Sequence, residues 1–445
     1  MSTPAELIAR LERVPFSKWH LRARIIMGSA TFFDAFDALS LAFVLPVLVR
    51  RWGITPPEIG WLIAIGYLGQ FVGALVFGVM AERHGRVRAI AAATALMSVM
   101  SLACAMSWGF ASLLILRLVQ GVGVGGEMPV AAAYINELSR ARGRGRFFLL
   151  YELIFPIGLM MTGQIGALLV PTLGWQVMFI IGGVPGLVVT ALLIRLPESP
   201  RWLIGKGRFA DAETVIREIE AAAGGKAEPE VITSGSRIPD PGSRLTELLS
   251  RSYRPRTLTV WALWACAYFI TNGLNNWMPT LYSSVYHLSL PQALRAGTLN
   301  NIAQVVILLG CAFAIDRIGR RRWTVAGFAA GAAFLVTLGT FASHSVTAVI
   351  VLVTVSYGIV GSVNAVLYLY TPEIYPTRMR AIGTGAATCW LRLASAVAPV
   401  LVGYLVGARG TAAVFLMFAA AGVVGALAAI AMLETRNRPL EELSP

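Results

Sequence analysis

Long apolar stretches broken by short polar turns dominate the chain. Residues 59–81 and 411–433 each run 23 positions without Lys, Arg, Asp or Glu, enough for a helix to cross a hydrocarbon core of about 30 Å. Residues 323–372 form a 50-residue stretch without such a charge, too long for one crossing, and the polar break Ser343-His344-Ser345 divides it in two. Residues 153–194 divide in the same way at Pro171-Thr172-Leu173-Gly174. The pattern predicts an all-α membrane protein with twelve transmembrane helices, at roughly 25–49, 59–81, 89–106, 111–135, 147–170, 175–196, 257–282, 296–315, 323–342, 346–370, 380–405 and 411–433. No ten-residue segments alternate as barrel strands do.

The longest hydrophilic stretch separates six spans from six. It predicts an N-terminal six-helix bundle over 1–196, a linker over 197–256 and a C-terminal six-helix bundle over 257–445. Within the linker, Phe209, Val215, Ile216 and Ile219 recur among charges, the mark of short amphipathic helices, whereas 227–242 is rich in Pro, Gly and Ser. Ahead of span 1, Leu7, Leu11 and Val14 share one helical face, which fits a helix lying along the inner leaflet or a free tail.

Composition sharpens this picture. The chain is 56% hydrophobic and 13% charged, with mean hydropathy +0.69, against about 25% charged residues in soluble domains. Its net charge of +14 is not a nucleic-acid footprint, because 30 of the Lys and Arg residues fall on one side of the predicted topology and 4 on the other. That asymmetry places both termini in the cytoplasm of a multi-pass inner-membrane protein, with the basic face against anionic lipids. Cys104, Cys266, Cys311 and Cys389 fall in or beside spans and read as buried thiols without a disulfide framework. There is no phosphate-binding glycine-lysine loop and no enzyme-like domain, so neither catalysis nor ATP hydrolysis is expected. No cofactor or metal is called for either, and the chain is expected to work as a monomer.

One charged motif occurs twice. Gly78-Val-Met-Ala-Glu82-Arg83-His84-Gly85-Arg86-Val87-Arg88 follows span 2, and Ala312-Phe-Ala-Ile-Asp316-Arg317-Ile318-Gly319-Arg320-Arg321-Arg322 follows span 8, with 234 positions between Glu82 and Asp316. Matching loops on two halves are how many secondary transporters are built.

These loops resemble the signature of the major facilitator superfamily. Arg117-Leu-Val-Gln120-Gly121-Val-Gly123-Val-Gly125-Gly126-Glu127-Met-Pro129 in span 4 is similar to that superfamily's arginine-then-glycines pattern. Pro197-Glu198-Ser199-Pro200-Arg201-Trp202-Leu203 and Glu434-Thr435-Arg436 resemble motifs of its sugar-porter and organic-ion-transporter branch. Phe33-Asp34-Ala35-Phe36-Asp37, Gly125-Gly126-Glu127 and Tyr370-Thr371-Pro372-Glu373-Ile374-Tyr375-Pro376-Thr377 resemble bacterial niacin transporters. Asp34-Ala-Phe-Asp37 also resembles the Asp-Gly-x-Asp motif of aromatic-acid/proton symporters, with Ala35 in place of glycine. The second loop copy departs from the pattern at Ala312, where glycine is usual. The resemblance implies alternating-access uptake of a small aromatic monocarboxylate, nicotinate first, together with protons. Benzoate-type symport and facilitative carriage of organic cations are the alternatives.

Charges inside the spans are the candidates for mechanism, since each is costly in lipid. Asp34 and Asp37 share a face of span 1, Glu127 lies in span 4 and Glu152 in span 5. No histidine sits mid-span, so proton coupling has to use carboxylates. By resemblance to sugar/proton symporters, Asp37 should face Arg117; the pair either couples protons or staples spans 1 and 4. Glu127 and Glu152 form a second relay or are structural acids.

Substrate contacts are expected from the second half. Asn272, Asn275, Asn276 and Trp277 in span 7, and Tyr357, Asn364 and Tyr368 in span 10, suit a flat ring, although asparagines also serve as helix–helix glue. Arg392 in span 11 offers a planar fork for a carboxylate. Tyr282 and Tyr370 read as interfacial anchors. Glu82, Arg83, Arg86, Glu137, Glu198, Arg201, Asp316, Arg317, Glu373 and Arg380 are expected to bond helix ends and loop acids, as a gate between states or as fixed topological anchors.

Overall fold

The computed structural model describes residues 3–15, 17–138, 153–224, 245–342, 345–375 and 379–435. Every regular element among them is helical. Spans 1 to 6 are Lys18–Trp52, Pro56–His84, Arg86–Ala105, Phe110–Leu138, Ile154–Leu173 and Gln176–Leu193. Spans 7 to 10 are Arg254–Ser284, Leu290–Ile318, Arg320–Thr337 (prolonged by a π turn, Leu338–Ala342) and Val346–Glu373. The last helical stretch, Arg380–Ile430, is broken at Gly410, whose φ of 76° and ψ of −177° no helix contains, so it supplies spans 11 and 12. Twelve crossings result among the described residues, each over one of the predicted apolar stretches.

Local chemistry fixes several ends. Span 1 stops at Gly53, in the left-handed region. Span 2 starts with a capping box in which the Thr55 N–H donates to Glu58 Oε2 at 2.8 Å, with Pro56 just inside the helix. Span 8 begins likewise at Ser289 with Gln292.

The spans form two six-helix bundles with matching internal contacts. Span 1 packs on 5, 2 on 4 and 3 on 6; their counterparts are 7 on 11, 8 on 10 and 9 on 12. Between the bundles, span 2 meets 11, span 5 meets 8 and span 1 meets 7. Outward-facing side chains such as Val72, Leu75, Val306, Phe313, Val424 and Leu427 are exposed and apolar, as a lipid-facing belt requires.

Two expectations change. The N-terminal helix Pro4–Arg13 neither lies free nor offers its apolar face to lipid: Leu7, Leu11 and Val14 are buried in one cluster with Val215, Ile216 and Ile219 of the linker helix Phe209–Ala222. Arg10 seals that contact with a two-pronged bond to Glu220, at 2.9 and 2.7 Å. Tyr282 and Tyr370 are not interfacial anchors, because both are buried, and the Tyr370 hydroxyl accepts the Leu433 N–H at 3.0 Å. The Pro- and Gly-rich stretch 227–242 lies outside the described residues, as does Glu152.

Candidate functional site

Span 1 carries both of its acids inward. Asp37 is fully buried and accepts the Ser101 hydroxyl of span 3 at 2.8 Å and the Gln120 amide of span 4. Arg117, one helical turn before Gln120, gives Nη1 to the Gln120 side-chain oxygen at 2.8 Å and makes a long contact, 3.5 Å, to the Asp37 backbone carbonyl. Asp37 and Arg117 therefore face each other without a direct ion pair, Gln120 bonding to both. The guanidinium reaches the amide first because both sit on one face of span 4, three residues apart.

Asp34, one turn earlier, is also buried and within electrostatic reach of Glu127, Asp37 and Arg392. Glu127, fully buried, accepts the Thr31 hydroxyl at 3.0 Å. Three carboxylates thus share the mid-membrane interior of the first half, and one guanidinium from the second half comes close to them.

The second half presents a chain of neutral polar groups. Asn275 donates to Asn301 at 3.2 Å, Tyr357 bonds Gln304 at 3.0 Å, Asn364 bonds Thr271 at 3.1 Å and Asn272 bonds Ser395 at 2.6 Å. Each expected amide therefore has a helix–helix partner as well as a place along the interior. Asn276 extends across the bundles, donating to the Tyr67 hydroxyl of span 2 at 3.1 Å. Trp277 is buried, its indole N–H held by the Pro399 carbonyl at 3.1 Å, so it packs span 7 on span 11.

Arg392 lies beside aromatic faces. Its electrostatic neighbours include Tyr268, Tyr368 and Cys389 along with Asp34. Tyr268 stacks on Trp264 with ring centroids 5.6 Å apart and planes 9° apart, and Tyr368 meets the same indole edge-on at 4.6 Å. Arg392 itself is 8% exposed; Nη2 donates to the Gly125 carbonyl of span 4 at 3.2 Å and Nε has no partner among the described residues. A guanidinium with an open N–H beside half-buried aromatic rings is chemically a seat for a flat anion.

Tyr67, Ser101, Trp264, Asn301, Gln304 and Ser395 join these networks without having been singled out. Asn301 and Gln304, three apart on span 8, carried a usable signal of the kind read for Asn272 and Asn275.

On the face that carries the duplicated loops, two copies of one network appear. Arg86 pairs with Glu82 at 2.9 Å and Glu137 at 3.0 Å; Arg320 pairs with Asp316 at 3.0 Å and Glu373 at 3.5 Å. Glu198 accepts the Arg86 and Val87 N–H groups at the start of span 3, at 2.9 and 3.2 Å, and Glu434 accepts those of Arg320 and Arg321 at the start of span 9, also at 2.9 and 3.2 Å. Ser199 bonds Glu137 as Thr435 bonds Glu373. Gly85 and Gly319 are required between loop and helix: both have positive φ, 107° and 96°, and a Cβ on either would strike the capping carboxylate.

The carboxylates sit at the positive ends of the helix dipoles. Burial nonetheless lifts the Glu198 carboxyl above its ordinary range, against the lowering effect of the Ser199, Val87 and Arg86 N–H donors. Arg201 Nε donates to the Glu137 carbonyl at 2.9 Å. Arg83 and Arg317, expected in the networks, are exposed and make no ion pair among the described residues, because helical register turns the next arginine, three residues on, toward the acids. The side chain of Arg380 lies outside the described residues. Each of the bonds named here joins residues of one half.

A family model described as "Sugar (and other) transporter" matches residues 35–445. The chain belongs to that family. Among relatives of this transporter is the niacin transporter NiaP of Acinetobacter baylyi, 31% identical over 442 residues, covering 98% of this chain and 99% of the relative. The 4-hydroxybenzoate transporter PcaK of Pseudomonas putida is 27% identical, covering 84% and 83% of the two chains. Among solved structures, the partially occluded inward-open form of the xylose transporter XylE from E. coli superposes with a TM-score of 0.74 at 17% identity, covering 95% of this chain and all of that one. The fold is that of a major facilitator carrier, and the protein is a multi-pass secondary transporter rather than an enzyme.

Proposed function

We propose that this transporter imports a small aromatic monocarboxylate, nicotinate in the first instance, by proton symport through alternating access. The observation that carries the reading is Arg392: a nearly buried guanidinium with an open N–H, beside the Trp264, Tyr268 and Tyr368 rings and facing Asp34 across the bundles. The carboxylate takes the fork and the ring lies against the aromatic faces. Similarity to a niacin transporter over nearly the whole of both chains favours nicotinate over benzoate.

Protons enter through Asp37 and its Ser101–Gln120–Arg117 surround, with Asp34 and Glu127 as a second acidic pair. Asn272, Asn275, Asn276, Tyr357 and Asn364 complete the polar wall. The motif-bearing face looks into the cytoplasm, as the excess of basic residues there implies. Arg50 of span 1 and Ser283 of span 7, bonded at 2.9 Å, close the opposite mouth.

The test is uptake into proteoliposomes under an imposed pH gradient, with nicotinate, nicotinamide, benzoate and choline in competition. Accumulation of nicotinate that requires an inward proton gradient, and that benzoate inhibits weakly and choline not at all, supports the reading. Choline transport in its place would assign the acidic cluster to a cation and overturn it.

A further inference from the structure

Span 4 contains a helix-interior proline, Pro129, four residues after Gly125. In an α-helix the carbonyl of residue i accepts the N–H of residue i+4, and proline has none to give. The Gly125 carbonyl is thereby released from its own helix. It is also held in place: a Cβ at Gly125 would collide with the Gln70 backbone of span 2, so the two helices meet there at closest approach. Into this free carbonyl Arg392 sends Nη2 from the opposite bundle, at 3.2 Å, while its neighbouring Nε–H is buried and has no partner among the described residues.

Nε and Nη2 are the two nitrogens with which an arginine grips a carboxylate side-on; Arg10 uses that pair on Glu220. In Arg392 half of this grip is open and half is occupied by a backbone oxygen that carries only a partial charge. We propose that the Gly125 carbonyl, freed by Pro129, is the resting partner of Arg392, and that an incoming carboxylate displaces it. Pro129 is then a positioning residue: it touches no substrate and sets anion affinity by giving the guanidinium a competitor. Because the contact joins spans 4 and 11, its release on binding also loosens one tie between the bundles. This rests on the anion reading above.

The test is Pro129→Ala, which returns an N–H to Gly125 and favours the helix. Nicotinate affinity is expected to rise about five- to tenfold, the gain from removing one hydrogen-bonded competitor, while binding of neutral nicotinamide does not change. In an Arg392→Ala background, Pro129→Ala should leave nicotinate affinity where it was. A proline that merely bends the helix would shift both ligands alike and would act with or without Arg392, and either result overturns the proposal.

A second readout needs no ligand. In substrate-free protein, spin-label distances between spans 4 and 11 should widen equally in Pro129→Ala, Arg392→Ala and the double variant. Unchanged distances in Pro129→Ala would also overturn it. If wild type binds no nicotinate yet the distances behave as stated, the cargo assignment falls and the resting contact stands.

Discussion

Asp37 and Arg117 share a buried site without their charged groups bonding: Gln120 stands between them, giving its amide to the carboxylate and its carbonyl to the guanidinium. An intervening amide softens the ion pair. The carboxylate can take up a proton without leaving the arginine stripped of a partner, because Arg117 keeps its bond to Gln120 in either state.

Asp37→Asn keeps the shape and the hydrogen bonds but not the titration. Uphill, pH-driven uptake should be abolished, while substrate exchange and binding persist. Counterflow and gradient-driven uptake in the same vesicles separate the two. Undiminished accumulation under an inward proton gradient would remove Asp37 from the coupling.

Of the loop arginines, Arg86 and Arg320 hold the acids, and Arg83 and Arg317 do not. Arg86→Ala or Arg320→Ala should slow transport and shift the balance between inward- and outward-facing forms, with nicotinate affinity altered less than about threefold. Arg83→Ala should disturb that balance much less, since Arg83 makes no ion pair among the described residues. Spin-label distances across the two mouths, beside equilibrium binding, decide this. A large affinity loss with an unchanged conformational balance would contradict it.

Glu198 supplies a pH dependence whose sign can be worked out. Burial raises its carboxyl above the ordinary value of 4.5 in the folded protein, so folding favours the protonated form. The contribution is full below the unfolded value and is lost as pH rises through the folded one. Thermal stability should therefore fall as pH rises above the ordinary glutamate value, and Glu198→Gln should flatten that fall. An identical pH profile in wild type and variant would show that this carboxyl is not the source.

Much of this was legible in the chain. Charge-free runs mark spans 2 and 12 because burying a charge in lipid is expensive, and the duplicated loops announce two related halves. Partner choice was less legible. Arg320, Arg321 and Arg322 look alike in sequence, and only the helix start at Gly319 turns the first toward Glu373. Tyr67 is a lone tyrosine in an apolar helix, and nothing local distinguishes it from a packing residue until span 7 brings Asn276 against it. The face formed by Leu7, Leu11 and Val14 was visible, but its occupant lies more than 200 residues away in the linker. Periodicity reports that a face is apolar, not what covers it.

The most direct test of the account is titration calorimetry of nicotinate and nicotinamide on wild type, Arg392→Lys and Arg392→Ala. Losing a buried charge-assisted grip should weaken nicotinate on the order of 100-fold in Arg392→Ala. Arg392→Lys should recover only part of this, because an ammonium lacks the planar fork. Nicotinamide should bind weakly to wild type and be nearly indifferent to either change. Nicotinate affinity left intact in Arg392→Ala, or nicotinamide bound as tightly as nicotinate, would contradict the anion seat on which the account depends.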